Sequence, residues 1–284
     1  MISNTKILPF VAAFLLFIGL ADMKATAQVV ENPKEVCDLL NRIGGKGTAE
    51  RIATAIDPSV ASAGREAFVL TSQDGKPCIK GSNVSALTTG INWYLNHYAH
   101  VNIAWNNLTT DLSQVELPVP TKQEKHSTTV GYRYYLNYCT FSYSMSTWTW
   151  ERWQKEIDWM ALHGINMPLQ IVGLDVVWQK LLTQDLGYTD DEANAFIAGP
   201  CFQAWWGMNN LQGWGGKNPA WWYKRQEALA KKILAREREL GMEPVLPGYA
   251  GMVPSDIAKK GYSANNQGNW CGFLRPYILD PNTE

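Results

Sequence analysis

The stretch "GYRYYLNYCTFSYSMSTWTWERWQKEIDWMALHGINMPLQIV", residues 131–172, decides the fold. Its opening "GYRYYLNYC" is rich in β-formers and predicts a strand. In "TWTWERWQKEIDWMALHG", Trp150, Trp153, Ile157, Met160 and Gly164 recur at helical spacing, while Glu151 and Lys155 sit four apart on the opposite, solvated face. Gly164 suits a helix stop, and "INMPLQIV" reads as a second strand.

The pattern continues outward. "DVVWQKLL" and "DDEANAFI" predict helices, and "AWWYKRQEALAKKILAREREL" predicts a long helix closed by Gly241, with Trp222, Leu229, Ile233 and Leu240 as its apolar stripe. "MEPVLPGYA" follows as a third strand. Strands alternating with helices argue for a parallel sheet, either an open doubly wound sheet or a (β/α) barrel. A dinucleotide-binding sheet needs a glycine fingerprint after its first strand, and "NYCTFS" has none. The barrel is preferred. Its ligands bind at the carboxyl ends of the strands, here Asn137–Tyr143, Gln170–Asp175 and Pro247–Met252.

Upstream, residues 28–119 read as a small α/β domain. It comprises a helix in "PKEVCDLLNRIGG", a strand in "EAFVLTS", a turn at Asp74-Gly75 and a helix in "NVSALTTGINWYLNHYA". The polar, proline-bearing residues 120–129 read as a linker, and the barrel part as 130–284. The first 27 residues carry Lys6, an apolar run from Ile7 to Ala21 and an Ala25-Thr26-Ala27 cleavage pattern. They read as a signal peptide, so the chain is expected to be exported and free of the membrane after cleavage. That means the periplasm or exterior of a bacterium, or a eukaryotic secretory or lysosomal route.

Lysine plus arginine number 25 against 26 aspartate plus glutamate, so no basic field exists to attract nucleic acid, and the partner is expected to be close to neutral. The five cysteines form no C-x-x-C and the histidines show no zinc spacing, which gives no support for a metal. Asn83 and Asn107 head glycosylation sequons. Of 13 tryptophans, 11 lie between Trp148 and Trp270. Aromatic rings, amides and hydroxyls on a barrel rim suit a carbohydrate, whose C–H faces stack on rings and whose edges bond to amides. Core packing is the alternative use of those rings.

Three blocks sharpen this reading: "LNYCTFSYSMSTWTWERWQKEIDWMALHGIN", "GPCFQAWWGMNNLQGW" and "LGMEPVLPGYAGMVP". They resemble, in order and near spacing, the α-N-acetylglucosaminidases, a glycoside hydrolase family that includes the lysosomal enzyme acting on heparan sulfate and bacterial relatives. "GINWYLNHYAHVNIAWN" is similar to that family's small amino-terminal domain. The resemblance spans roughly residues 35–284. It implies an exo-acting, retaining hydrolase of terminal α-linked N-acetylglucosamine, with two carboxylates and no cofactor. It also implies sugar contacts from Asn137, Cys139, Tyr143 and Trp205, with Asn210 and Trp214 from the same loop. A turn built by "NN" and "GWGG" is the alternative reading of the last two.

Retention needs two carboxyl groups about 5–5.5 Å apart on the active face. Asp175, Asp190, Asp191, Glu192 and Asp256 all open helices, where capping and the helix dipole explain them, and Glu243 opens a strand on the opposite face. The family's Asn-Glu pair does not occur. From Val130 the chain has 155 residues, whereas a barrel takes ~250. The expectation is therefore an α/β protein with the first half of a TIM-like barrel, truncated, inactive alone, its catalytic carboxylates lying beyond Glu284. The alternatives are a non-catalytic carbohydrate-binding protein and a related β-N-acetylhexosaminidase.

Overall fold

The structure is a computed structural model describing residues 28–282, so the signal-peptide reading lies outside the described residues. Among the described residues, no helix is long and apolar enough to cross a membrane.

The amino-terminal part runs β1 (Val30–Glu31), α1 (Lys34–Gly44), β2 (Ala53–Ile56), β3 (Ala67–Gln73), β4 (Lys76–Gly81), α2 (Val84–His97) and β5 (Glu124–Ser127). The strands form one sheet in the order β1-β2-β4-β3-β5, parallel only between β2 and β4. Asp74 and Gly75 both take positive φ, 51° and 74°, and turn β3 into β4 as expected of an Asp-Gly hairpin. Asn83 caps α2, its side chain accepting from the Ala86 amide at 2.8 Å, and its Nδ2 donates to Glu66. The other sequon asparagine, Asn107, donates its Nδ2 to Asn102 O at 3.2 Å, so both are engaged in the fold. α2 approaches the sheet at Gly90, where a Cβ would lie 2.8 Å from Ile79 and 2.9 Å from Phe68.

The expected linker differs. Within residues 120–129, Glu124–Ser127 is the edge strand β5, paired antiparallel with β3. Its polar alternation marks an edge strand with one solvated face rather than a loose connection.

The second part contains β6 (Tyr134–Tyr135), α3 (Tyr138–Ser144), α4 (Trp150–Leu162), β7 (Met167–Pro168), α5 (Leu174–Lys180), α6 (Asp190–Phe196), α7 (Gln203–Gly207) and α8 (Ala220–Glu239). β6 and β7 pair parallel across α4. A third parallel segment bridges at Leu169 and Val245, with the Gln170 amide donating to Val245 O at 2.9 Å and Val245 N to Pro168 O at 2.8 Å. This is the βαβαβ start of a (β/α) barrel, with α4 and α8 as crossovers. The third strand is shorter than "MEPVLPGYA" suggested, because Pro244 and Pro247 offer no amide to a ladder. The first strand also stops early: Asn137 caps α3, so "YCTFSYS" is helical rather than extended. Beyond the third strand lie β8 (Met252–Val253), β9 (Ala264–Asn265), β10 (Asn269–Trp270), β11 (Phe273–Leu274) and β12 (Tyr277–Leu279), forming a small sheet β8-β12-β9 and a hairpin.

One hydrophobic core runs through both parts, joining Leu39, Leu40 and Ile43 of α1 with Met160 and Leu162 of α4, Ile233 of α8 and Leu240 just past its end. α4 is therefore buried on two sides. Its stripe of Trp153, Ile157 and Met160 is buried as the spacing predicts, but Glu156 and Asp158 are buried too. Arg42 clasps Asp158 with two 2.7 Å bonds, and Glu156 accepts from Trp105 Nε1 at 2.9 Å, Tyr135 Oη at 3.0 Å and Arg152 at 3.0 Å. These acids couple the two parts.

Candidate functional site

Asn137 follows β6 at the carboxyl end of the first parallel strand. Its Oδ1 accepts from the Cys139 amide at 2.8 Å, which starts α3, and its Nδ2 makes no hydrogen bond among the described residues. From there α3 alternates its loyalties. Phe141 and Ser142 turn inward and are buried, whereas Tyr143 is 73% exposed. Tyr138 is held against Gly207, where a Cβ would come within 3.1 Å of its ring, and burial pushes its phenol up to about 12. Cys139 lies half-buried in the first turn of α3, beside a helix amino terminus.

Trp205 comes from α7, a five-residue helix. Its ring meets Tyr143 edge-on, centroids 5.4 Å apart. A helix this short cannot hold its own direction. Its first residues are tied from outside: the Ala204 amide donates to Ser142 Oγ at 3.0 Å, and Gln203 Nε2 donates to Asp175 Oδ2 at 2.8 Å. Behind Trp205, the Asn210 amide donates to the Trp205 carbonyl at 2.9 Å, closing a turn in which Asn209 has φ 63°. Arg275 Nε donates to Asn209 O at 2.9 Å and pins that turn.

Trp214 stands farther along the same aromatic line. Phe202 lies 6.3 Å from Trp205 and 6.2 Å from Trp214, and Trp214 packs edge-on against Phe273 at 4.7 Å. Its carbonyl accepts from the Gly199 amide. The "NN" and "GWGG" turn reading thus describes the backbone here, while Trp214 remains 47% exposed. Tyr143, Trp205 and Asn210 form one group; Asn137 and Cys139 belong to the helix that carries Tyr143; Trp214 joins through Phe202.

The acids sort by environment. Thr189 and Glu192 form a reciprocal capping box on α6, with Asp190 and Asp191 in its first turn, as the sequence predicts. Glu243 is exposed at the amino end of the third parallel strand. Asp256 accepts from Tyr188 Oη at 3.2 Å. Asp175 departs from the capping expectation. It is 2% exposed, and besides Gln203 it accepts from Trp222 Nε1 at 2.7 Å. Burial pushes its carboxyl up, opposed by the bonds from Trp222 and Gln203. An acid set inside the apolar run "VGLDVVW" was the available signal for such a buried role. Ser142 and Gln203 gave no comparable signal.

An exposed phenol and a half-buried indole at right angles, with amides beside them and a buried acid beneath, form a surface for a neutral ring with polar edges.

Comparison with known proteins identifies the family of the chain. Residues 34–119 match the alpha-N-acetylglucosaminidase (NAGLU) N-terminal domain, and residues 133–284 match the alpha-N-acetylglucosaminidase (NAGLU) tim-barrel domain. Human alpha-N-acetylglucosaminidase is 34% identical over 255 residues, covering 86% of this chain and 34% of the human protein. Among solved structures, a Clostridium perfringens enzyme carrying two glutamate-to-glutamine substitutions, in complex with its substrate GlcNAc-alpha-1,4-galactose, superposes with TM-score 0.79. It is 33% identical, over 89% of this chain and 29% of that one. A family 89 glycoside hydrolase from the same organism, bound to 2-acetamido-1,2-dideoxynojirimycin, gives 0.79 at 31% identity, over 96% of this chain and 31% of that one. This chain thus spans about a third of the length of the relatives it matches.

Proposed function

This chain belongs to the α-N-acetylglucosaminidase family, and on that premise we propose that it forms the sugar-gripping, amino-terminal part of an exo-acting hydrolase of terminal α-linked N-acetylglucosamine. The observation that carries the reading is the Tyr143–Trp205 pair at the carboxyl end of the first parallel strand, in a chain similar to enzymes solved with N-acetylglucosamine ligands. In this reading the indole of Trp205 covers a C–H face of the sugar, Tyr143 and Asn137 bond its edge, Cys139 forms a small wall, and Asn210 and Trp214 line the outer rim.

Retaining hydrolysis needs a nucleophile and a general acid/base, both carboxyl groups on the ligand face. Of the four buried acids among the described residues, Glu237 sits on the long crossover helix without a partner for Oε2, and the other three are occupied elsewhere. Glu156 and Asp158 face the seam with the amino-terminal part, and Asp175 is covered by Gln203 and Trp222. The two carboxylates are therefore assigned to the part of the relatives' fold that this chain does not span. The residue 1–27 pattern supports export, with maturation before Gln28.

Calorimetric titration tests the reading. N-acetylglucosamine is expected to bind saturably with a Kd of order 1 mM, the scale of one stacked ring and a few hydrogen bonds. Galactose should bind more weakly, and an aryl α-N-acetylglucosaminide should not be hydrolysed. Turnover by this chain would overturn the assignment of the carboxylates; absence of sugar binding would overturn the site.

A further inference from the structure

We propose that Asp175 is a positioning residue: its buried carboxyl sets the orientation of Trp205, and hence the shape of the sugar platform, by holding Gln203 and Trp222 on one oxygen. This rests on the sugar-binding reading of the Tyr143–Trp205 face.

Burying this carboxyl is costly. The residue is 2% exposed and gives up its hydration, and among the described residues no arginine or lysine is bonded to it to offset the loss. Helix capping does not require such burial, since a capping carboxylate works at the surface, as Glu192 does on α6. Neither does packing, since an apolar group of the same size would fill the space without desolvating a charge. What a carboxyl supplies that an apolar group lacks is a fixed acceptor direction. Asp175 Oδ2 receives Gln203 Nε2 at 2.8 Å and Trp222 Nε1 at 2.7 Å, while Oδ1 faces the Val176 amide at 3.0 Å.

Gln203 and Trp222, 6% and 5% exposed, belong to the first turns of α7 and α8. One carboxyl thereby registers α5, α7 and the long crossover helix against each other. The consequence falls on α7. With five residues, it takes its direction from its anchors: Asp175 at Gln203, Ser142 at Ala204 and the Asn210 amide at the Trp205 carbonyl. Ser142 is the neighbour of Tyr143, so it fixes α7 to the helix bearing the other ring. Asp175 supplies the anchor from the opposite side. Removing it leaves α7 free to roll about the Ser142 contact, which changes the 5.4 Å edge-on relation of Trp205 to Tyr143. Asp175 acts on the platform through Gln203.

The test follows the Trp205 indole resonance by NMR in 15N-tryptophan-labelled chain, assigned with W205F, and titrates N-acetylglucosamine into each variant. In D175L the Trp205 resonance should shift or split while those of Trp93 and Trp105, in the amino-terminal part, stay in place. N-acetylglucosamine affinity should fall about tenfold, the scale of one lost anchoring hydrogen bond. D175N keeps one acceptor oxygen and should recover most of both. Should D175L fail to fold, Q203M removes the same anchor from the other end and should give the same shift. A Trp205 resonance in D175L, or in Q203M, that superimposes on that of the parent chain overturns the proposal. Absence of sugar binding by the parent chain would instead overturn the sugar reading, while the indole resonance still decides whether Asp175 orients Trp205.

Discussion

Among the described residues, two places hold buried carboxyl groups on hydrogen-bonded partners, and they treat them differently. At the seam between the amino-terminal part and the barrel, Asp158 is clasped by Arg42 and Glu156 by Arg152, Trp105 and Tyr135. Beneath the candidate site, the side chains bonded to Asp175 are neutral donors, the amide of Gln203 and the indole of Trp222. The seam uses charge pairs to lock two bodies of structure into one. The site holds its acid with neutral donors and gains direction rather than strength. A buried acid is therefore not by itself a sign of catalysis, and its partners reveal its role.

The seam is the place where one substitution should cost most. R42M leaves Asp158 buried without its guanidinium and is expected to destabilise the fold by about 3–5 kcal/mol in denaturant unfolding. Burial already pushes the Asp158 carboxyl up against the pull of Arg42, and R42M removes that opposing pull. The double variant R42M/D158L should regain most of the stability; failure to regain it would show that the pair is not the lock.

Glu237 sharpens the same contrast, since it is a third kind of buried acid, with Oε2 unpartnered among the described residues. Burial pushes it up to about 8 from an ordinary 4.5. Because the folded value lies above the unfolded one, its stabilising share is complete below about pH 4.5 and is lost as pH rises through 8. Melting temperature should climb on acidification from pH 8.5 to 5, by about 2–4 °C for each kcal/mol recovered. E237Q should flatten that slope. An unchanged slope in E237Q would assign the pH dependence to other groups.

On the ligand side the effects are smaller in stability and larger in binding. W205A should weaken N-acetylglucosamine binding by roughly tenfold, about 1.4 kcal/mol, with little change in melting temperature because the ring is only half-buried. The smallest expected effect lies back at the seam. W105F deletes the indole donor to Glu156 but leaves Tyr135 and Arg152 in place, and should cost about 1 kcal/mol.

Periodicity read the crossover helices well. Trp153, Ile157 and Met160 on α4, and Trp222, Leu229, Ile233 and Leu240 on and at the end of α8, are buried as their spacing predicts. The same logic failed where a helix is buried on two sides. Glu156 and Asp158 lie off the apolar stripe, and their partners Trp105 and Arg42 lie 51 and 116 residues away, beyond any local pattern. Strand ends failed for a different reason: Asn137 can cap a helix or end a strand, and local composition does not choose between the two. The β5 edge strand looked like a linker because edge strands carry polar residues. At the candidate site, the aromatic and amide residues stood out in the sequence, whereas Ser142 and Gln203 did not, and Asp175 stood out only as an acid within an apolar run. Their role exists only in the distances between elements.

If the Tyr143–Trp205 face grips N-acetylglucosamine, saturation-transfer NMR will show it on this chain, with N-acetylglucosamine and glucose in competition and W205A as the paired variant. Transfer is expected to the ring protons and N-acetyl methyl of N-acetylglucosamine, with little displacement by glucose and loss of the signal in W205A. Equal transfer in W205A, or a signal that glucose removes as readily as N-acetylglucosamine does, would contradict a sugar grip at this face.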